Sequence, residues 1–353
     1  MKLSDRKWGE FKLIDFFEIC LSKGDNQANL LKIGKIPLVS AGSVNNGICK
    51  YIEFGDGISE IFNNNLITID MFGKIFYQPH KFYSVSHGRI NIIIPKTYLN
   101  KYILLFFVSV LEKRFFGKYS FANMCSKKRL ERETILLPIT LQGKADYEFM
   151  EEYIKEIINK KRQKYTEYVK DKMKSLKVVG GGGQSLKNRK WKNFKIKELF
   201  NIYTGKDLII NKIKNGNIPV VSHSLENNGI VAYTALICDR KKFNFKKTIS
   251  LADRGNFKAF VQKNDFYIGT RVKALELKLD NVPYFSLIFI SNEINKQSCK
   301  FSYGHNACDN IKDLQIILPA TQQNQPDYEF MENYIKNKMF LKYNKYLQYI
   351  KNQ

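Results

Sequence analysis

The sequence predicts an α+β fold built twice: two globular domains and two long α-helices, the helices packed as an antiparallel coiled-coil pair. Three observations carry this expectation. Short segments recur in one order at a nearly constant offset, each repeat mixes strand-like and helix-like stretches, and each repeat ends in a long amphipathic run. DYEFMEEYIK occupies 146–155 and DYEFMENYIK occupies 327–336, 181 positions later in a 353-residue chain. Arg6-Lys7-Trp8 with Phe11-Lys12 recurs as Arg189-Lys190-Trp191 with Phe194-Lys195. Ile36-Pro37-Leu38-Val39-Ser40 recurs as Ile218-Pro219-Val220-Val221-Ser222, Asn45-Asn46-Gly47-Ile48 as Asn227-Asn228-Gly229-Ile230, and Leu137-Pro138 as Leu318-Pro319. The offset drifts from 183 to 181, as small loop deletions make it drift.

Each copy opens with apolar residues at helical spacing, predicting a short helix over Phe11–Ile19 and Phe194–Ile202. Strands and turns follow. The Asn-Gly steps at 46–47 and 228–229 are strong hairpin-turn signals. Leu66–Ile69, Ile90–Ile94, Thr248–Leu251 and Ala274–Leu279 read as strands, Leu99–Arg114 and Tyr284–Asn295 as helices, and a last strand ends at Leu-Pro. From Asp146 to Leu176 there is no Pro or Gly, and apolar residues recur every three or four positions. Asp146 and Asp327 stand where N-caps belong, with Pro326 before the second. Met150, Tyr153, Ile154, Ile157 and Tyr168 lie on the first stripe, and Met331, Tyr334, Ile335, Met339 and Leu347 on the second. Such helices are too long for one domain of about 180 residues to cover, so they are expected to bury each other, the alternative being that each packs on its own domain. The implied organisation is a first domain at 1–145, a helix at 146–179, a glycine-rich hinge at 180–184, a second domain at 185–326 and a helix at 327–353. Gly180–Gly183 is read as a hinge because no Gly-Lys-Ser/Thr follows it, as a phosphate loop requires.

The net charge is +25, from 58 basic and 33 acidic residues. This points to a polyanion partner, most simply nucleic acid. The six cysteines are scattered and form no CxxC pair, so neither a disulfide framework nor a zinc site is expected. The first residues are polar and Ile103–Leu111, nine residues, is the most apolar run, so a cytoplasmic protein without a membrane span is expected. A thirty-residue helix is about 45 Å long at 1.5 Å per residue. That compares with about 34–36 Å for one DNA turn. Two basic domains held that far apart suit a split DNA target, one short sequence on each side of a fixed spacer. The segment ends are alike and the middles, roughly 50–130 and 231–310, are not. A common scaffold carrying two differently tuned readers has that pattern.

The doubled order RKW-x-x-F-K-[LI]…IP-[LV]-V-S…NNGI…LP…DYEFM-E-x-YIK resembles the specificity subunits of type I restriction-modification systems and their type IIB relatives. ITIDMFGKIFYQP (67–79) and TISLADRGNFKAFVQ (248–262) are similar to that family's strand–turn–strand element, and SYGHNACDNIKDLQIILP (302–319) to its closing segment. The resemblance covers the whole chain. It implies two target recognition domains, each reading one half of a bipartite double-stranded DNA site. It also implies helices that set the spacer and dock methyltransferase subunits or a fused endonuclease-methyltransferase, the arrangement to which the LP…DYEFM junction is closer. S-adenosylmethionine and Mg are then expected on those partners and not on this chain.

No catalytic role is expected of the chain itself. It lacks the Asn/Asp-Pro-Pro-aromatic loop and the glycine-rich cofactor turn of an amino-methyltransferase. Asp265…Glu276-Leu277-Lys278 has nuclease-like spacing, but copy one has Ile94 where Glu276 stands. His80, His87, His223 and His305 are dispersed, as polar loop residues rather than metal ligands. Base readout needs loop side chains that enter a groove, and backbone anchoring needs Lys or Arg. The candidates in copy one are Ser43, Asn45, Lys74, Arg89, Lys118, Lys127, Lys128 and Arg129. In copy two they are His223, Ser224, Asn227, Arg254, Lys258, Arg271, Lys273, Lys300, His305 and Asn306. Arg89, Arg254 and Arg271 are the favoured guanine contacts, and Asn45 and Asn227 are weighed more as turn formers. The alternative from another class is a repeat protein that binds nucleic acid without sequence preference and has no restriction-modification partners.

Overall fold

A β-strand and a one-turn helix open each half of the chain, and the two halves share the order of their strands and long helices. The computed structural model describes residues 1–85, 89–176, 185–187, 189–254, 257–301 and 310–352. Copy one runs β1 (Trp8–Lys12), α1 (Leu13–Phe16), β2 (Phe17–Leu21), β3 (Ile33–Val39), β4 (Ile48–Ile52), β5 (Leu66–Asp70), β6 (Ile75–Gln78), β7 (Tyr83–Ser84), β8 (Ile90–Pro95), α2 (Lys101–Phe115), α3 (Lys127–Leu130), β9 (Thr134–Pro138) and α4 (Tyr147–Ser175). Copy two runs β10 (Trp191–Lys195), α5 (Ile196–Leu199), β11 (Phe200–Thr204), β12 (Ile218–Val221), β13 (Ile230–Thr234), β14 (Thr248–Ala252), β15 (Lys258–Val261), β16 (Tyr267–Ile268), β17 (Val272–Leu277), α6 (Tyr284–Asn295), β18 (Gln315–Pro319) and α7 (Tyr328–Lys351). Two compact units result, Met1–Tyr165 and Thr166–Gln353, and the division falls within α4.

Each copy has a four-stranded antiparallel sheet, β2-β8-β5-β6 or β11-β17-β14-β15. It also has a three-stranded sheet, β4-β3-β7 or β13-β12-β16, and a two-stranded ladder, β1-β9 or β10-β18. Both faces of the four-stranded sheet are covered, which is why β5 (LITID) and β14 (TISLA) are buried at every position instead of alternating. In copy one Ile67, Ile69 and Ile93 pack with Leu104, Phe107 and Leu111 of α2, while Leu66, Ile90 and Ile92 pack with Val39 and Phe82. Copy two repeats this with Ile249, Leu251 and Leu275 against Leu287, Ile290 and Ile294, and Val272 and Ala274 against Val221 and Phe266.

The expected helix over Phe11–Ile19 shrinks to the single turn α1, and Phe194–Ile202 to α5. Phe11 and Lys12 pair with β9, and Phe17–Leu21 pair with β8. Ladder hydrogen bonds along both flanks outweigh the helical spacing of so short a run. The Asn-Asn-Gly segments do turn the β3–β4 and β12–β13 hairpins. Asn45, Asn46 and Gly47 have φ of 51, 53 and 72°, and Asn227, Asn228 and Gly229 have 47, 53 and 78°. Asn and Gly are the residues that tolerate this left-handed region. The glycine-rich hinge lies outside the described residues.

The duplicated end segments converge on one joint per copy. Asp146 caps α4, its Oδ1 accepting the Phe149 amide at 3.0 Å, and Asp327 caps α7 by accepting the Phe330 amide at 3.0 Å. The other carboxylate oxygen accepts from the arginine of RKW, Arg6 at 3.0 Å and Arg189 at 3.4 Å. Each guanidinium also lies over the aromatic ring three residues past the cap, Arg6 over Phe149 at 4.9 Å and Arg189 over Phe330 at 4.2 Å. Trp8 stacks on Phe106 of α2, and Trp191 on Phe289 of α6. The tryptophans stand opposite Pro138 and Pro319 in the ladders.

This geometry revises the helix faces. Met150 and Ile154 are buried in the core of copy one, and Met331 and Ile335 in the core of copy two. Tyr153, Tyr334 and Met339 pack partly on those cores. These seven residues seat each helix on its own domain, because the first turns of α4 and α7 lie beside α2 and α6, whose aromatic side chains meet Tyr153 and Tyr334 edge-on. Farther along, Ile157 and Leu347 are half-buried and Tyr168 is exposed. Among the described residues no helix is long and apolar enough to cross a membrane.

Candidate nucleic-acid interface

Four strand ends meet at one end of the large sheet in copy one: the last residues of β2 and β5 and the first of β6 and β8. This end lies away from α1, which leads into β2 from the helix joint. The β5–β6 turn is shaped by the buried Asp70. Its carboxylate accepts the Phe72 and Lys74 amides at 2.8 Å each, and the Gly42 amide at 3.2 Å. Burial raises the Asp70 carboxyl above its usual range in spite of these donors. The Met71 amide donates to the Arg89 carbonyl at 2.9 Å, and the Cys125 amide to the Met71 carbonyl at 2.8 Å. Buried Asn91 donates to the Ile69 and Cys125 carbonyls at 3.3 and 3.1 Å. These bonds gather Ser43, Lys74, Arg89, Lys127 and Lys128 around one strand end, all of them exposed.

Copy two builds the same end from different residues. Asp70 pairs with Ile90 and Ala252 with Val272, so Arg89 and Arg271 occupy equivalent positions. The Asp253 amide donates to the Arg271 carbonyl at 3.3 Å, as Met71 does to Arg89. Arg254 and Arg271 are exposed here and Lys258 is half-buried. Lys300 is exposed and adjoins Phe301, which stacks on Phe257 in the β14–β15 connection at 4.4 Å. The loop before β13 carries His223, Ser224 and Asn227. His223 Nδ1 and Ser222 Oγ share a hydrogen bond at 3.1 Å, and Ser224 Oγ accepts the Glu226 amide at 3.1 Å. His305 and Asn306 lie outside the described residues.

Several candidates have structural partners. The Lys118 ammonium pairs with Glu133, a buried carboxylate that also accepts from the Tyr119 hydroxyl at 3.0 Å and faces Arg114 at 3.5 Å. Lys273 is only 12% exposed, pairs with the buried Asp253 at 3.6 Å and donates to Thr204 at 2.9 Å. Arg129 braces Asn123 and donates to the Met124 carbonyl at 3.0 Å. Lys127 has a long ion pair to Glu131 at 3.9 Å. Asn45 donates to the Ile48 carbonyl at 3.2 Å, a turn-forming bond. Buried carboxylates need such partners, so Lys118 and Lys273 balance the core charge of this end, which the spacing of basic residues cannot reveal.

The nuclease-like string is likewise accounted for by structure. Glu276 is buried on β17 and paired with Lys241 at 2.7 Å and Lys247 at 3.8 Å. Burial works to lower the Lys241 ammonium, but its bond to Glu276 prevails and raises it. Lys278 donates to the Lys197 carbonyl at 2.6 Å and Asp265 pairs with Lys242 at 3.4 Å. A cavity of about 1040 Å³ lies elsewhere, at the helix joint of copy one, lined by Trp8, Phe106, Val110, Tyr153 and Ile157. Its wall also includes Glu10, Lys113 and Arg114, and it holds none of the basic candidates.

Sequence comparison overlooks two glutamines, Gln78 and Gln262, because loop-length changes bring their offset to 184 while nearby pairs stand at 182. Each is buried and donates to the carbonyl of the second Asn in its Asn-Asn-Gly turn.

The family described as the type I restriction modification DNA specificity domain matches residues 5–167 and again 188–348. The specificity subunit S.BcgI of a type II restriction enzyme from Heyndrickxia coagulans is 27% identical over 339 residues, 93% of this chain and 94% of its own length. The crystal structure of a type I restriction-modification S subunit from M. genitalium overlays with a TM-score of 0.52 at 12% identity, covering 100% of this chain and 94% of the other, a likeness of fold. With two family matches spanning nearly all of its length, the chain belongs to the type I restriction-modification DNA specificity domain family and carries that domain twice.

Proposed function

We propose that this specificity subunit reads a bipartite double-stranded DNA target, one half-site per domain, and that α4 and α7 set the spacer as an antiparallel pair. The observation that carries this reading is the pair of equivalently built sheet ends with different polar and basic residues. Copy one offers Ser43, Lys74, Arg89, Lys127 and Lys128, and copy two offers His223, Ser224, Arg254, Lys258, Arg271 and Lys300. Asn45 and Asn227 shape the turns beside them. At 1.5 Å per residue, the 29 residues of α4 extend about 44 Å, enough to bridge one DNA turn. Family membership disfavours the alternative of a sequence-blind architectural protein.

The partners of this reading are methyltransferase subunits, separate or fused to an endonuclease, and they bind S-adenosylmethionine and Mg. This chain contributes recognition: arginine offers paired donors to guanine, and lysine offers charge to phosphate. Tyr168 and Leu347, which lie beyond the turns seated on the domains, and Ile157, which lines the cavity at the copy-one joint, are the helix residues assigned to spacer or partner contacts. Mapping adenine methylation genome-wide with and without the gene tests the reading. A split motif that disappears with the gene is expected, and an unchanged methylation pattern in a strain that expresses the partner overturns it.

A further inference from the structure

We propose that Gln78 and Gln262 are positioning residues that lock the Asn-Asn-Gly loop of each domain in its DNA-reading shape, each governing its own half of the target. The inference rests on the two-reader function proposed above. Gln78 Nε2 donates to the Asn46 carbonyl at 3.0 Å and to Thr68 Oγ1 at 2.9 Å. Gln262 Nε2 donates to the Asn228 carbonyl at 2.9 Å and to Ser250 Oγ at 2.9 Å. The hydroxyls in turn donate across the hairpin, Thr68 to the Phe76 carbonyl at 3.5 Å and Ser250 to the Phe260 carbonyl at 3.2 Å. One side-chain amide therefore supplies both hydrogens, in both copies, within the parts of the sequence that otherwise diverge.

The chemistry favours glutamine. The loop carbonyl and the hydroxyl oxygen both need a donor, and a primary amide has two. A glutamate would aim an acceptor at the carbonyl. A leucine of similar size would leave the buried side of that carbonyl without a donor. The loop needs this support because it places two asparagines in succession in the left-handed region, at φ of 51 and 53° in copy one and 47 and 53° in copy two. Successive non-glycine residues in this region persist where the surrounding structure holds them. Backbone bonds close the same ring in both copies: Ser40 N to Gly47 O and Ser222 N to Gly229 O, each at 2.8 Å. In copy one, the Gly42 amide on Asp70 fixes the other side of the loop. Ser43 and Asn45 are thus displayed from a backbone held at two points, while their side chains stay exposed.

The test uses the full chain assembled with its methyltransferase partner. Gln78→Leu, Gln262→Leu and Thr68→Ser are compared with the parent by methylation mapping, by amide exchange of residues 45–48 and 227–230, and by melting. Gln78→Leu is expected to speed exchange at 45–48 and weaken discrimination in one half of the motif, on the order of tenfold for the lost donor. Gln262→Leu is expected to do the same at 227–230 and in the other half only. Thr68→Ser, which gives copy one the hydroxyl of copy two, is expected to change neither. Parallel loss in both halves with a lowered melting temperature overturns the proposal in favour of a general structural role. Faster loop exchange with both halves of the motif intact also overturns it, since the lock then has no bearing on readout. A parent complex that methylates no split motif overturns the functional reading instead, and unchanged loop exchange in Gln78→Leu overturns the lock independently of that reading.

Discussion

Replacing Asp146 with Ala removes two contacts that begin α4. The first is the cap, Phe149 N–H to Asp146 Oδ1 at 3.0 Å, and losing an Asp cap costs about 1 kcal/mol. The second is the ion pair with Arg6 at 3.0 Å, whose guanidinium is partly exposed, so about 0.5 kcal/mol is the appropriate figure. The sum, about 1.5 kcal/mol, corresponds to roughly tenfold faster amide exchange at Phe149 if that amide exchanges by local opening of the first turn. Asp146→Asn keeps a good cap and loses the charge, so it is expected to forfeit only about 0.5 kcal/mol. In copy two the arginine sits farther from the cap, at 3.4 Å, so Asp327→Ala is expected to cost slightly less. Native-state hydrogen exchange on the full chain measures all three variants. If Asp146→Asn proved as damaging as Asp146→Ala, the ion pair and not the cap would be organising the joint, and the argument would fail.

Three further outcomes follow from specific groups. Lys273→Ala is expected to destabilise copy two by roughly 1–2 kcal/mol, because it removes an ion pair of the buried Asp253, whereas Lys128→Ala is expected to spare stability and to reduce the salt slope of DNA binding by about one; equal stability losses in denaturant melts would contradict this. Burial opposes ionisation of Asp56, yet amide donors from Ser59, Asp25 and Ile58 hold its carboxyl at about 2, below the ordinary 3.8. That loop contact is then complete above about pH 4 and is lost as pH falls toward about 2, so amide protection at residues 25, 58 and 59 is expected to decline in that window and to be flat there in Asp56→Asn. Burial pushes the Cys125 thiol up to about 12, so iodoacetamide at mild alkaline pH is expected to label exposed Cys238 and Cys299 well before Cys125, as mass spectrometry of timed digests would show.

What could be read from the sequence was chiefly local chemistry. Asp146 and Asp327 announce their helices because a cap acts within three residues, and Asn-Asn-Gly announces its turn because few residues accept the left-handed region. The duplication was legible because the joint uses the same side chains twice, Arg6 with Asp146 and Arg189 with Asp327. Long-range pairing was not legible. The helical spacing of Phe11–Ile19 gave way to ladders with β8 and β9, which lie far along the chain. Lys118 and Lys273 resembled surface charges because their partners, Glu133 and Asp253, are buried by the fold and not by local sequence. Gln78 and Gln262 carry no local signal, because each meets its turn only once a strand brings it beneath the Asn-Asn-Gly carbonyl.

The central claim is that two separately tuned readers sit on one duplicated scaffold. Exchanging residues 20–130 for the corresponding segment of a relative with a different target, then mapping methylated adenines in cells that express the partner, tests it most directly. The account predicts a motif in which one half changes while the other half and the spacer stay the same. A change in both halves, or in neither, would contradict it.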